Sequence, residues 1–347
     1  PFPEIGQVDD RAHVPSGHLG ERVIEALEQL AIVEKRRGEL AEELQTALAE
    51  ESMQGSLFGG PQREDLNLDS HQQLTQALQR LGIPVPESTR NWKLQPLAAQ
   101  YPIIATLLEY RTVQKALTSY GENMIGLINP ITGRLHADFR QIGAPTGRFA
   151  CTNPNIQQVP HAPEYRRCFS GYPAGRKLVI ADYSQIELRI LAEFSGDRGF
   201  IDAFNSGADL HRVTAAQVFN VPLEQVSKEQ RDFAKRLNFG VVYGIGAQRF
   251  SMMTGLGVPE AENVLRRYFS TYRGLDTYLR ESANRAVDEK QARTGSGRLV
   301  RFNYDPSDRQ QISMTQRNGK NAPIQGTSAD ILKRALRLLN DELRDTS

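Results

Sequence analysis

Arg231, Lys235, Phe239 and Tyr243 stand four residues apart in the run Arg231-Asp-Phe-Ala-Lys-Arg-Leu-Asn-Phe-Gly-Val-Val-Tyr-Gly244. On an α-helix each step of four overshoots a full turn by roughly 40°, so these side chains form one slowly winding stripe. Two cations head the stripe and two aromatic rings end it. Cations at i and i+4 repel unless an anion lies between them. A polyphosphate followed by a sugar and a base matches that order. The same spacing also suits an ordinary amphipathic helix that buries Leu237, Phe239 and Val242, so the run alone leaves two readings open.

Composition narrows the field. A chain of 347 residues exceeds one ordinary core, which predicts two or three subdomains. Hydrophobic residues at 39% and charged residues at 24% are those of a soluble globular protein. The net charge is only +1, so no global basic signature marks a nucleic-acid partner. Charge is concentrated locally instead: between 231 and 249, Arg231, Lys235, Arg236 and Arg249 face Asp232 alone. Such a patch attracts phosphates, while the acidic stretch from Glu39 to Glu51 repels them. Cys151 and Cys168 are too few for a disulfide framework and fit a reducing compartment. The histidines do not combine with them in a zinc-like spacing. No apolar run approaches the roughly 18 residues of a membrane span, and no signal-peptide pattern opens the chain. A cytoplasmic protein without a membrane partner is expected. With Pro1 as the first residue, the natural N-terminus is expected to be missing.

Apolar positions from Val23 to Leu48 predict a long amphipathic helix over residues 20–50, with Gly38 a candidate break. Gly55, Gly59, Gly60 and Pro61 mark a loop. Leu74, Leu78 and Leu81 mark a short helix stopped by Gly82 and Pro84, and another helix is expected from about Ile103 to Ser119. From Gly133 to Pro160 the pattern is irregular and β-like. The run Lys177–Ala181 reads as a buried strand ending at Asp182, followed by a helix over Ile186–Phe194. Residues 198–290 read as mostly helical, Gly295–Asp308 as turn and strand, and Thr327–Arg344 as a helix with Ile331, Leu332, Leu336, Leu339 and Leu343 on its apolar side.

Four motifs fall in one order. They are Thr146-Gly-Arg148-Phe-Ala-Cys-Thr-Asn-Pro-Asn155-Ile-Gln157-Gln158-Val-Pro160, Asp182-Tyr-Ser-Gln-Ile-Glu187-Leu-Arg189, the Arg231–Gly244 run, and Arg317-Asn-Gly-Lys-Asn321-Ala-Pro-Ile-Gln325-Gly-Thr. Their wording and spacing resemble the family A DNA polymerases of the bacterial DNA polymerase I type. The resemblance runs from about Leu66 to the C-terminus and is weak before that. It implies a right-hand α+β fold with a helical thumb over residues 20–124 and a β-containing palm over 125–197. Helical fingers would span 198–306, and 307–347 would return to a C-terminally incomplete palm, with a partial palm segment at 1–19. The implied reaction is template-directed addition of deoxynucleotides to a primer 3′-OH, releasing pyrophosphate.

That chemistry calls for two Mg²⁺ ions roughly 3.5–4 Å apart, held by oxygen ligands. Asp182 and the Tyr183 carbonyl are the ligands the resemblance implies; a helix N-cap is the alternative for an isolated Asp182. The family's second metal-binding carboxylate lies in a His-Asp-Glu motif, and no His-Asp-Glu occurs in this chain. The expectation is therefore a truncated domain, inactive or impaired alone. Glu187 resembles the steric gate that crowds the sugar 2′ position, with Gln185 supporting the same pocket. Arg231, Lys235 and His211 would contact the triphosphate, and Lys235 would protonate the leaving pyrophosphate. Phe239 would pack near the sugar and predicts discrimination against dideoxynucleotides. Tyr243 would stack at the template base position, with Gly244 permitting close approach.

Every base pair presents minor-groove acceptors, so donors there test pair geometry without reading sequence. Arg148, Arg317, Asn321 and Gln325 are candidates, with Asn155, Gln157 and Gln158 as further duplex contacts or loop caps. Pro323 is expected to end or kink the helix carrying the last three of the four. The expected partners are primer–template DNA and a dNTP, bound by a monomer. The alternatives are a non-catalytic primer–template-binding fragment and a single-subunit RNA polymerase, against which Glu187 and the wording of Asp182–Arg189 argue.

Overall fold

The computed structural model describes residues 17–54, 66–85, 88–160, 163–166, 169 and 179–344. The chain forms two compact units, Pro1–Asp138 with Cys151–Ile180 and Phe139–Ala150 with Ala181–Ser347.

The first unit is helical. Helix α1 (Gly17–Gln54) runs unbroken through Gly38, where an added Cβ would meet nothing within 4 Å. The candidate break does not form because one glycine costs a long helix only about 1 kcal/mol. Leu40, Leu44 and Leu48 lie on one face and pack with α2 (His71–Arg80). The Ser70 hydroxyl accepts from the Gln73 N–H to cap α2, and Gly82 at φ +69° ends it. The single turn α3 (Asn91–Leu94) leads to α4 (Pro102–Tyr120), which supplies Ile104, Leu107 and Tyr110 to the same core. Gln45 brackets the backbone of Leu66, donating to its carbonyl at 2.6 Å and accepting from its N–H at 3.0 Å. The short α5 (Glu122–Ile125) and α6 (Pro163–Arg166) complete the unit. The chain crosses between units within β1 (Asp138–Arg140) and β2 (Ala150–Thr152). Of the loop predicted over residues 51–65, residues 51–54 instead continue α1, and 55–65 lie outside the described residues, as does Cys168.

After residues 139–150, the second unit runs through α7 (Ile186–Ser195), α8 (Arg198–Asn205), α9 (Leu210–Phe219) and α10 (Lys228–Val242). It continues through α11 (Ala247–Thr254), α12 (Val258–Thr271) and α13 (Arg273–Asp288). Leu188, Leu191, Phe200, Leu237, Tyr268 and Tyr272 are the centre of its core. Phe200 meets Tyr272 edge-on at 4.7 Å between ring centroids, a favoured aromatic geometry. The hairpin of β3 (Gln291–Arg293) and β4 (Leu299–Arg301) pairs Ala292 with Val300, and both pack with Ala322 of α14 (Arg309–Arg344).

Two expectations are corrected here. Residues 179–181 form no strand, and Val179 and Ile180 are 93% and 81% exposed; 177 and 178 lie outside the described residues. Among the described residues no strand pairs with this run, and without a neighbour a strand leaves its backbone bonds unmade. At Pro323, α14 does not end. A proline inside a helix costs about 3 kcal/mol, but Ala322, Pro323, Ile324 and Thr327 are all buried there, and that packing outweighs the lost bond. Beyond it, Leu336, Leu339 and Leu343 lie on the helix as predicted but remain exposed.

Two glycines predict opposite signs. Gly38→Ala is expected to stabilise the first unit by about 1 kcal/mol through helix propensity alone. Gly319→Ala would place a Cβ 2.2 Å from the Ala286 Cβ and 2.9 Å from the Ser282 carbonyl. Overpacking of about 1–3 kcal/mol then exceeds the propensity gain, so this variant is expected to be less stable. Urea unfolding of both variants checks the pair.

Candidate active site

Helix α10 is built to hold its stripe rigid. Ser227 accepts from the Gln230 N–H at 3.2 Å, and Gln230 Oε1 accepts from the Ser227 N–H at 2.9 Å, a complete capping box. At the other end, Gly244 at φ +64° turns the chain. Its N–H donates to the Val241 carbonyl, and the Ile245 N–H donates to that of Gly240, both at 2.9 Å. That is the Schellman pattern. Tyr243 occupies the C-cap, one residue past the helix proper, so the predicted stripe is continuous from Arg231 to Tyr243. Lys235 is exposed, Phe239 is half-buried, and Leu237, Asn238 and Val242 face the core. The face opposite the exposed Lys235 is thus the buried one, with Phe239 at the boundary.

Arg231 does not stand alone. Its Nε donates to Asp209 Oδ2 at 2.6 Å, while Asp209 Oδ1 caps α9 by accepting from the His211 and Arg212 N–H groups. Burial alone would raise the Asp209 carboxyl, but the Arg231 contact and the two backbone bonds hold it below its ordinary value. Asp209 is a site residue that no role was read for in the sequence. Its signal was there, an aspartate immediately before a helical Leu210.

His211 is only 2% exposed. The Gln185 amide nitrogen stands 3.2 Å from Nε2 and the Asn238 amide nitrogen 3.1 Å from Nδ1. A neutral imidazole donates at one nitrogen and accepts at the other, so one of these amides turns its oxygen to the ring. Asn238 continues to Thr214, and Thr214 to the Tyr272 hydroxyl at 3.1 Å. Burial pushes the His211 pKa down; Asp209 opposes this, while Arg231 and Lys235 reinforce it. Gln185 itself sits at φ +55° as the N-cap of α7.

Glu187, in the first turn of α7, is 7% exposed. Its Oε1 accepts from Arg148 Nη2 and its Oε2 from the Tyr243 hydroxyl at 3.0 Å. Residues from three separate sequence motifs thus meet at one carboxylate. Burial first, and Glu187 second, push the Tyr243 hydroxyl above its ordinary range, so it stays a donor. Gly244 lies close to α14: a Cβ there would come 3.3 Å from Arg317 Cγ. Arg317, Asn321 and Gln325 share one face of the continuous α14, and Asn321 Oδ1 is buried without a hydrogen-bond partner.

Asp182 and Tyr183 are exposed, in a stretch without regular secondary structure just before α7. No group of three or more His, Cys, Asp or Glu side chains suited to a metal ion occurs among the described residues. Glu187 is committed to Arg148 and Tyr243, so it does not join Asp182 as a second metal-binding carboxylate. Asn155, Gln157 and Gln158 lie in the other unit; Asn155 Oδ1 accepts from the Gln157 N–H, the loop-capping alternative.

The comparisons with known proteins decide the family. The model for "DNA polymerase family A" matches residues 34–347. This chain belongs to DNA polymerase family A. It is similar to DNA polymerase I of Pseudomonas aeruginosa, 38% identical over 82% of this chain and 32% of the relative. It is also similar to the thermostable DNA polymerase I of Thermus aquaticus, 35% identical over 78% of this chain and 34% of that one. Among solved structures it resembles the POL domain of Pol1 from M. smegmatis, in complex with DNA primer-template and dNTP. That match has a TM-score of 0.74 and 30% identity, over 92% of this chain and 57% of the other. The mostly helical architecture with small sheets is the α+β polymerase fold. The chain spans about a third of the length of the curated relatives it matches. No described helix is long and apolar enough to cross a membrane.

A pH effect follows from His211. Its pKa is lowered on folding, so the unfolded chain takes up the proton first as pH falls. Stability is full above the unfolded value of about 6.5 and is lost as pH drops below it. His211→Gln is expected to flatten the decline in stability between pH 7 and 5, measured by urea unfolding across that range.

Proposed function

We propose that this chain is the nucleotide- and duplex-binding part of a template-directed DNA polymerase, adding deoxynucleotides to a primer 3′-OH with release of pyrophosphate. The observation that carries the reading is the convergence of Arg148 and Tyr243 on the buried Glu187 carboxylate at the aromatic end of α10, the helix whose stripe begins with Arg231 and Lys235. The family supports it, as does the similar POL domain described with primer-template and dNTP.

In this reading Arg231 and Lys235 take the triphosphate. Asp209 keeps the Arg231 guanidinium oriented until an anion competes for it. Lys235, exposed on the same face, donates a proton to the leaving pyrophosphate. His211, held neutral by burial, lies behind this face and braces Gln185 and Phe239; its ring centroid is 5.7 Å from that of Phe239. Contact with phosphate requires Gln185 to give way first. Glu187 crowds the sugar 2′ position and favours deoxynucleotides, with Tyr243 fixed across the pocket. Tyr243 and Gly244 form the platform for the templating base. Arg317, Asn321 and Gln325 on α14, with Arg148, present donors to the minor groove. Asn155, Gln157 and Gln158 are further duplex contacts in the same reading. Asp182 and the Tyr183 carbonyl are the oxygens offered to a hard cation such as Mg²⁺. The thumb, palm and fingers boundaries given above belong to the same proposal, as do a monomeric state and a cytoplasmic setting.

The test is equilibrium binding of dNTPs to the protein–primer–template complex. Tighter binding of the templated dNTP than of the other three is expected. Arg231→Ala and Lys235→Ala are each expected to weaken it by about 10- to 100-fold, the worth of a charge-assisted bond. Duplex binding with no nucleotide selection would instead favour a non-catalytic binding role.

A further inference from the structure

Arg148 comes from a turn, yet it must hold a buried carboxylate in place. Three residues far along the chain fix that turn. Arg298, just before β4, donates from Nε to Asp330 Oδ1 at 2.8 Å. Its Nη2 donates to the Thr146 carbonyl at 2.7 Å and to the Gly326 carbonyl at 3.2 Å. Asp330 is itself anchored, because its other oxygen accepts from the Ser296 hydroxyl at 2.6 Å. One turn further along α14, Lys333 Nζ donates to the Gly147 carbonyl at 2.6 Å and stands 5.4 Å from the Phe149 ring centroid.

Two consecutive carbonyls, those of Thr146 and Gly147, are thus each held by a cation, and the next residue is Arg148. The backbone was shaped to accept this. Gly147 adopts φ +81°, and a Cβ there would fall 2.6 Å from Arg298 Nη2. A Cβ on Gly326 would fall 3.0 Å from the same atom. The guanidinium lies between two glycines where no larger residue fits. A lysine in place of Arg298 would lack the planar fork that reaches Asp330 and both carbonyls together.

We propose that Arg298, Asp330 and Lys333 form a clamp that positions Arg148 against Glu187 and thereby sets sugar selection at the Glu187–Tyr243 pair. They are positioning residues, since none of them touches Glu187 itself. The inference rests on the reading of Glu187 as the sugar-selecting residue. It adds that selection is controlled from α14, the same helix whose Arg317, Asn321 and Gln325 face is proposed to meet the duplex.

Two readouts test it. The first is hydrogen exchange at the Arg148 guanidinium in ¹⁵N-arginine-labelled protein, with the resonance identified by its loss in Arg148→Lys. Arg298→Ala and the milder Lys333→Met are expected to speed that exchange by about tenfold, the factor for one lost charge-assisted contact. Lys333→Arg, which keeps the cation, is expected to restore it. The second is the ratio of dGTP to GTP affinity on a primer–template with a templating dC. Arg298→Ala, Arg148→Ala and the double variant are expected to lower that ratio to the same value, because both substitutions act through one contact. Additive effects of the two substitutions would overturn the proposal, as would a wild-type ratio in Arg298→Ala. If the wild-type protein does not distinguish dGTP from GTP, the sugar-selection reading falls. The positioning of Arg148 is then judged by exchange alone, and unchanged exchange in Arg298→Ala and Lys333→Met overturns it.

Discussion

The site depends on one buried carboxylate. A charge taken out of water is costly unless it is paired and hydrogen-bonded. Glu187 meets that requirement at both oxygens, with Arg148 on one and Tyr243 on the other. The consequence is geometric. A helix start, a glycine turn and the end of α10 must all arrive within reach of one group. Leu188, Leu191 and Leu237 in the core hold α7 and α10 in register for it. Removing either partner leaves a buried acceptor unmet, so the three residues behave as one unit rather than as separate contacts.

A second constraint keeps the phosphate-facing side of α10 ready. The capping box and the Schellman turn fix both ends of the helix, and the Asp209–Arg231 pair fixes the orientation of one cation. Behind them the chain from Gln185 through His211, Asn238 and Thr214 to Tyr272 fills the interior with satisfied polar groups. Such a network has few alternative arrangements and specifies a single one. It ties the αL turn at Gln185 to the core of α10.

Much of this was legible in the sequence because it is local. The stripe on α10 and the helices α2 and α4 follow from the spacing of their residues and, for α2, from its glycine and proline stop. The meeting of Arg148, Glu187 and Tyr243 was not legible from spacing; the resemblance gave them separate roles, at the minor groove, the sugar and the templating base. The Arg298–Asp330–Lys333 group was missed because it joins residues more than 150 positions from the turn it holds, and ion pairs at that distance leave no periodic trace. The strand read at Lys177–Ala181 shows the reverse error. A short apolar run carries no information about whether a partner strand exists, and residues 179–181 have none among the described residues. At Pro323 a correct local penalty was outweighed by tertiary burial.

The most direct measurement of the central claim is a double-mutant cycle between Glu187→Gln and Tyr243→Phe, read as unfolding free energy in urea. If the carboxylate is the shared anchor, the two substitutions are expected to be coupled by about 1–3 kcal/mol, the double variant losing less than the two single losses together. Independent, additive losses would mean that Glu187 and Tyr243 are merely neighbours, and the account of a single carboxylate organising the pocket would be wrong.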